Sequence, residues 1–374
     1  MTLERPAQAL ADGAGVSASS APEASLADKV AFLSRPDAYP HRVDEVVVRE
    51  THMSWVFLAG PRVYKLKKPV RFPYLDFSTL ARREAACRAE LRLNRRLAGD
   101  VYVDVLPLTA MRQRLALAGS GEVVDWLVVM RRLDERCMLD HAIAAKEIDE
   151  RALDRLVTLL AGFYQRAARV RMAGEAHLAD WRKSLADNRR GLSDPRAQLP
   201  AGLFRFVDGV QERFLARCGS LLAARASGGH IVDAHGDLRP EHIWLGKEPR
   251  IIDCLEFNDR LRANDPFDEI AFLTLECERL GGAWVGRYLR RRLTRAVPNP
   301  PPAELFTFYR CQRATLRARL AVAHLFEKDV RTPDKWPAQA RAYLRLVLAD
   351  ARRLDALLRG RAGRRGRGLR AIGG

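Results

Sequence analysis

Two hydrophobic periods divide the chain. Before residue 130 the apolar residues come in short β-branched and aromatic runs between turn residues, and from Glu147 onward they recur at three- and four-residue intervals. The first pattern belongs to strands and the second to helices with one buried face. Val46-Val47-Val48 and the runs at 55–58 and 63–66 predict strands, with Gly60-Pro61 as a hairpin turn. Residues 101–108 and 123–130 predict two more. A short helix is expected from Ser25, and a long one over 79–97 with Cys87, Leu91, Leu93 and Leu97 inward and its arginines in solvent. In the second half Leu153, Val157, Leu160 and Phe163 share a helical face, as do Phe206, Val210, Phe214 and Cys218. Asp265 followed by Pro266 reads as a helix start, and helices over 305–325 and 338–358 close the pattern.

Composition narrows this picture. With 374 residues, 48% apolar and 29% charged, the chain can bury the cores of two lobes. No apolar run approaches the roughly 20 residues of a membrane helix, so no membrane association is expected. Residues 1–24 lack a basic head and an apolar block and are expected to be a disordered leader. The six cysteines (87, 137, 218, 254, 277 and 311) form no C-x-x-C pair, which points away from zinc and disulfides and towards a reducing cytoplasm. The net charge of +18 comes from arginines spread over the helices, with one dense basic tail at 359–374 that is expected to be disordered. Aromatic residues do not interleave that tail, so nucleic-acid binding is not expected and solvated charge is.

The candidate chemistry lies in His235-Gly236-Asp237-Leu238-Arg239-Pro240-Glu241-His242-Ile243-Trp244-Leu245, followed by Ile251-Ile252-Asp253. This reads as a polar loop, a strand, a turn and a strand ending in a carboxylate, spacing that lets Asp237 and Asp253 face one cavity. Phosphoryl transfer needs such a pair, one acid to orient a hydroxyl and another to hold a metal. Magnesium, a hard ion that keeps several waters, needs only one or two protein carboxylates. A phosphate-binding lysine is also required. The strand at 63–67 places Lys65 and Lys67 on one face and Lys68 on the other, with Lys65 favoured as the more interior. Glu90 on the long helix could reach it, with Glu84 as the competing carboxylate. The hinge that would recognise a base edge is expected at 129–133, through Val129, Met130 and Arg131. The connector Glu50-Thr51-His52-Met53-Ser54 stands where a glycine-rich phosphate cover would be and has no glycine, so hydroxyls and backbone amides must serve. His235 is read as a structural group and Asp268 as a cap or loop brace. No G-x-x-x-x-G-K-[ST] loop is present, which excludes a P-loop kinase.

The pattern resembles the aminoglycoside phosphotransferase family, in a bacterial branch often fused to a P-loop ATP-binding domain. Beyond HGDLRPEHIWL, the resemblance rests on THMSWVFL (51–58), VYKLKKPVRFPYLDFSTL (63–80), ELRLNRRL (90–97), IIDCLEFNDRLRANDPFDEIAFL (251–273) and FYRCQRATLRARLAVAHL (308–325). It implies an α+β, two-lobed protein-kinase-like fold with a small β-rich N-terminal lobe and a larger helical C-terminal lobe. The expected divisions are a nucleotide-binding lobe at 25–130 and a catalytic and acceptor lobe at 131–358. The resemblance implies Asp237 as catalytic base, Asp253 as metal ligand, Lys65 on the phosphates and Glu90 as its partner. It implies ATP (or GTP) and Mg2+ as cofactors and a small-molecule hydroxyl as acceptor, with a P-loop ATP-binding partner as a separate protein. The family commonly carries Asn five residues after the base, and here that position is His242. Imidazole is a poor magnesium ligand. A single metal, a substitute ligand such as Glu256 or Asn258, or a nucleotide-binding scaffold without phosphotransfer are the alternatives left open. The basic C-terminal half favours an anionic or neutral acceptor over polycationic drugs.

Overall fold

The computed structural model describes residues 24–112, 114–195, 199–326 and 335–370. The expected leader lies outside the described residues except for Ala24, as does the end of the expected tail, 371–374.

The strand-rich half begins with helix α1 (Leu26–Leu33), closed at its start by a reciprocal cap between Ser25 and Asp28. Strands β1 (Val46–Glu50), β2 (Ser54–Ala59) and β3 (Arg62–Lys67) follow, then a small hairpin of β4 (Arg71–Phe72) and β5 (Leu75–Asp76). Helix α2 (Leu80–Ala98) precedes β6 (Tyr102–Met111), β7 (Arg114–Leu117) and β8 (Glu122–Arg131). Six strands form one antiparallel sheet in the order β1-β2-β3-β8-β6-β7. The two central strands pair in a register that puts Lys65 opposite Val128. One sheet core contains Leu33, Tyr39, Phe57, Tyr64 and Leu127, while α2 packs through Cys87 against Tyr102, Val105 and Val128.

The second half is mainly helical. Helices α3 (Leu139–Ala145), α4 (Glu150–Arg166), α5 (Gly174–Leu192) and α6 (Ala201–Ser227) lead to the short strands β9 (Val232–Asp233), β10 (Ile243–Trp244) and β11 (Arg250–Ile251). After α7 (Asp259–Arg262) and β12 (Ala263–Asn264) come α8 (Pro266–Arg279), α9 (Ala283–Ala296), α10 (Ala303–Ala323) and α11 (Lys335–Arg370). The two-layer plan matches the expected α+β, two-lobed class. Helix α8 is buried continuously from Pro266 to Cys277 and includes Asp268, Glu269, Thr274 and Glu276. A helix buried all round occupies the middle of its lobe, and polar groups there need partners. Asp268 binds Arg313 at 2.6 Å, which replaces the expected cap or brace role with an ion pair. The cap is Asp265, which accepts from the Phe267 N–H at 2.9 Å and from the Tyr309 hydroxyl at 3.0 Å.

Two expectations are corrected. The arginines are not simply solvated: Arg83, Arg225 and Arg262 are buried, held by Asp125, Asp265 and Asp233 respectively. A planar guanidinium is tolerated at such sites because its donor fork satisfies a carboxylate and nearby carbonyls together. The helical backbone of α11 also continues over 359–370, the first part of the expected disordered tail.

Asp265 also holds Arg225 through two contacts, 2.5 and 2.9 Å long. Asp265→Ala therefore strands a buried cation and should lower the unfolding free energy by about 3–5 kcal/mol. Urea denaturation measures this, and pairing the change with Arg225→Met should recover part of the loss. A single-variant loss below about 1 kcal/mol would show that the pair is not structural.

Candidate active site

The alternation of β3 turns Lys65 and Lys67 to one face, and both meet the same carboxylate. Glu90, fully buried on α2, accepts from Lys65 Nζ at 2.9 Å and from Lys67 Nζ at 2.5 Å. Lys65 also reaches Asp253 Oδ1 at 2.7 Å, and Lys67 binds Glu256. Lys68, on the other face, braces the β1–β2 turn by binding Glu50 and the Thr51 carbonyl. Glu84, the competing carboxylate, instead pairs with Arg88 at the surface.

Charge explains the electrostatics. Burial would depress the Lys65 ammonium, but Asp253 and Glu90 more than offset it and hold its pKa well above the ordinary value. Burial would raise the Asp253 carboxyl, yet Lys65 followed by His242 drives it far below the usual range. Glu256 goes the other way: burial and the neighbouring Glu90 push its pKa up, against the pull of Lys67. Three carboxylates share two ammonium groups, and Glu256 is the one left short.

The second carboxylate stands on the loop that precedes β10. Gly236 has φ +91°, and a Cβ there would lie 3.0 Å from Leu255 Cδ1, so the turn requires glycine. The loop is braced from beneath by Glu269, which accepts from the N–H groups of His235 and Gly236 and from the Tyr164 hydroxyl. His235 accepts from the Asp237 N–H at Nδ1 (3.3 Å), so its Nε2–H donates to the Ile252 carbonyl (3.0 Å). The ring is structural, as the sequence suggested. Asp237 Oδ2 is held by Arg239 Nε at 3.0 Å. Burial would raise the Asp237 carboxyl, but Arg239, with His242 and Arg317, keeps it below its ordinary value.

Asp253 lies in the left-handed region at φ +61°, uncommon for a side chain but tolerated by Asp, and its N–H donates to the Tyr102 hydroxyl at 3.0 Å. Its side chain is 47% exposed, so a carboxylate already bound to Lys65 still faces open space. That space is a cavity of about 580 Å³ whose lining includes Ser54, Lys65, Met130, His242, Asp253 and Glu256. Arg131 and Leu133 line it too, whereas Val129 is buried in the sheet core. The Arg131 N–H is taken by the Val101 carbonyl at 2.8 Å. The glycine-free connector also borders the cavity, and its Thr51 hydroxyl accepts from the Ser54 N–H at 2.9 Å, closing the turn itself. Asn258 caps α7 by accepting from the Arg260 N–H.

The structure thus gathers Lys65, Asp253, His242 and Glu256 around one cavity wall, with Glu90 buried behind Lys65 and Asp237 one loop away. Sequence reasoning placed Lys67 beside Lys65 without giving it a partner, and missed Tyr102, Asn94, Arg239 and Glu269. Asn94 could have been found, because it stands one helical turn after Glu90; its Oδ1 accepts from the Cys254 N–H at 2.8 Å.

A family model described as a phosphotransferase enzyme family (APH) matches residues 59–306. Uncharacterised proteins of Mycobacterium bovis and Mycobacterium tuberculosis are 36% identical over 291 residues, 76% of this chain and 56% of theirs. The chain therefore spans about half the length of the curated relatives it matches. Among solved structures, a choline/ethanolamine kinase family protein from Mesorhizobium loti is 17% identical with a TM-score of 0.48, over 87% of this chain and 99% of that one. A thermostable mutant of an aminoglycoside phosphotransferase is 13% identical with a TM-score of 0.47, over 83% and 95%. Among the described residues, no helix is long and apolar enough to cross a membrane.

The loop histidine gives a pH signature. Burial, with His242 nearby, lowers the His235 pKa from 6.5 to about 4. The folded state prefers the neutral ring, so this stabilisation is complete above pH 6.5 and is lost as pH falls towards 4. Its full extent is about 3 kcal/mol. Denaturation at pH 7.5 and pH 5 should show a larger drop for the wild type than for His235→Gln, and equal drops would remove His235 as the cause.

Proposed function

The chain belongs to the phosphotransferase enzyme family (APH), and from that premise we propose that it transfers the γ-phosphoryl group of ATP or GTP to a hydroxyl of a small molecule. The two-lobed architecture is the protein-kinase-like fold. On this reading residues 25–130 form the nucleotide-binding lobe and 131–358 the catalytic and acceptor lobe. The observation that carries it is Lys65, bound at once to Glu90 of α2 and to Asp253 of the catalytic loop unit, on the wall of a nucleotide-sized cavity.

The proposed roles follow from the contacts. Lys65, fixed by Glu90, binds nucleotide phosphate oxygens as a positioned point charge. Asp253 and His242 are the donors available to a divalent cation, which when bound neutralises phosphate charge. Asp237 accepts the acceptor hydroxyl's proton: its ionised state is secured by Arg239, and its second oxygen, Oδ1, is left to the substrate. Met130 and residues through Leu133 border the base site. Positioning and charge neutralisation then supply most of the rate.

Asp237→Asn should lower turnover by about 10²–10⁴-fold while nucleotide affinity stays within a few-fold of wild type. Lys65→Ala should instead weaken nucleotide binding and turnover together. An ATP-consumption screen over sugars, amino alcohols, nucleosides and aminoglycosides, run beside thermal-shift titration with ATP, reads both. Unchanged turnover in Asp237→Asn removes it as the base. Binding without turnover on every acceptor assigns the chain to the second reading, a nucleotide-binding scaffold, which His242 at the usual asparagine position and the glycine-free connector favour.

A further inference from the structure

We propose that Arg317 of α10 selects the acceptor: the open edge of its guanidinium takes a carboxylate or phosphate group carried by the same molecule whose hydroxyl meets Asp237. The inference rests on the phosphotransfer reading above and deepens it, naming the acceptor as an anion and the residue that recognises it.

Arg310, Arg313 and Arg317 are all mostly buried along α10, but they differ in their partners. Arg310 holds Glu278 at 2.7 Å and Asp350 at 3.1 Å, and Arg313 holds both oxygens of Asp268, at 2.9 and 2.6 Å. Arg317, with its side chain only 20% exposed, has no carboxylate to itself. Its Nε donates to the Tyr343 hydroxyl at 3.2 Å and stands 3.7 Å from Glu276 Oε1. That carboxylate is already engaged by Arg279 and by the Tyr343 hydroxyl, each at 2.6 Å. Among the described residues, nothing accepts from the Nη1 and Nη2 groups of Arg317, and both stay open to solvent. A cation this far from water ordinarily finds a carboxylate, as its two neighbours on the helix do.

Position gives the open edge its role. Helix α8 packs against α10 and against the turn Pro240–His242, and its Arg279 links Glu276 to Glu241 of that turn at 2.9 Å. Arg239, just before the turn, holds Asp237. Against burial, Arg317 joins Arg239 and His242 in lowering the Asp237 carboxyl, as a nearby charge does. At the far end of α10, His324 meets His52 of the β1–β2 connector edge-on at 5.9 Å. The helix therefore runs from beside the catalytic loop to the cover of the nucleotide cavity, with Arg317 between. Arg317 does not line that cavity, so its open edge serves the acceptor and not the nucleotide phosphates. The rings of Tyr343 and Phe272, centred 5.6 and 6.0 Å from the guanidinium carbon, fix its place. With Nε tied to a hydroxyl, Nη1 and Nη2 remain as two parallel donors, matched to two oxygens of a carboxylate or phosphate.

The test uses the full chain saturated with ADP, titrated by calorimetry with glycerol, glycerate and glycerol 3-phosphate, and with ribose, ribonate and ribose 5-phosphate. Expected is that an anionic member binds and that its neutral parent binds at least about tenfold more weakly. Whether the carboxylates or the phosphates bind identifies the anion. Arg317→Met should weaken the anionic member by about 10–100-fold while ADP affinity stays near wild type, and Arg317→Lys should recover part of the loss. If Arg317→Met does not fold, Arg317→Lys decides by the same anion-to-neutral ratio. In the ATP-consumption assay the defect should fall on KM for the anionic compound, and a defect in kcat alone overturns the specificity role. Neutral compounds binding as well as their anions, no binding by any anion, or a ratio that Arg317 variants leave unchanged overturns the anion site while ADP binding stands. Absence of ADP binding overturns the nucleotide reading and this inference with it.

Discussion

The structure turns on one buried arrangement of charge: two lysines of a single strand shared among three carboxylates from two other parts of the chain. Lys65 and Lys67 extend from β3, Glu90 from α2, and Asp253 and Glu256 from the segment after β11. Each ion taken from water costs several kcal/mol unless it is paired and hydrogen-bonded, and here Glu90, bound to both lysines, holds the set together. This cluster therefore sets how α2 lies on the sheet and where the loop segment meets both. Other contacts of α2 agree with it: Asn94 receives the Cys254 N–H, and Arg96 binds the carbonyls of Asp233 and Ala234 at 2.8 and 2.9 Å. One helix carries the register of Lys65 and Lys67 over to the loop that holds Asp237.

What could be read beforehand was whatever local period dictates. Strand alternation separated Lys68 from Lys65 and Lys67, and helical spacing placed Cys87, Leu93 and Leu97 inside. The Asp265-Pro266 start needed only capping chemistry. What escaped depends on distant partners. Lys67 and Lys65 are equivalent by alternation, and only Glu256, far along the chain, shows that Lys67 is buried in a structural pair. Glu269 looked like another acid in a helix's first turn, but its partners are backbone N–H groups of the loop, which no side-chain pattern encodes. Arginine was misjudged for the same reason: composition gives its charge but not the carboxylate that lets it be buried. Val129 was placed with the hinge by sequence order, while strand alternation turns it to the core and Met130 to the opposite face; Arg131, at the strand's end, reaches the cavity as well.

The loop owes its shape to the helix beneath it. Glu269 is held by two backbone N–H groups and a tyrosine hydroxyl, and burial pushes its pKa up against their pull. A carboxylate so placed is poorly solvated and depends on those donors, which fixes them in turn. Positive φ at Gly236 and at Asp253 marks the two ends of the unit where the chain reverses sharply. Strain at such points persists only where the surroundings over-determine it, and here Glu269 and Tyr102 do so by gripping the adjoining N–H groups.

The two histidines of this unit show how backbone geometry, not residue type, assigns a role. His235 meets an N–H at Nδ1 and a carbonyl at Nε2, so both ring nitrogens are satisfied and the ring is a brace. His242 meets a carbonyl at Nδ1 and an Arg239 N–H at Nε2, which sets the opposite tautomer. The difference follows from which peptide group each ring faces. Both rings are therefore satisfied at both nitrogens, His242 by the Asp237 carbonyl and the Arg239 guanidinium. The His242 ring, unlike that of His235, also borders the cavity.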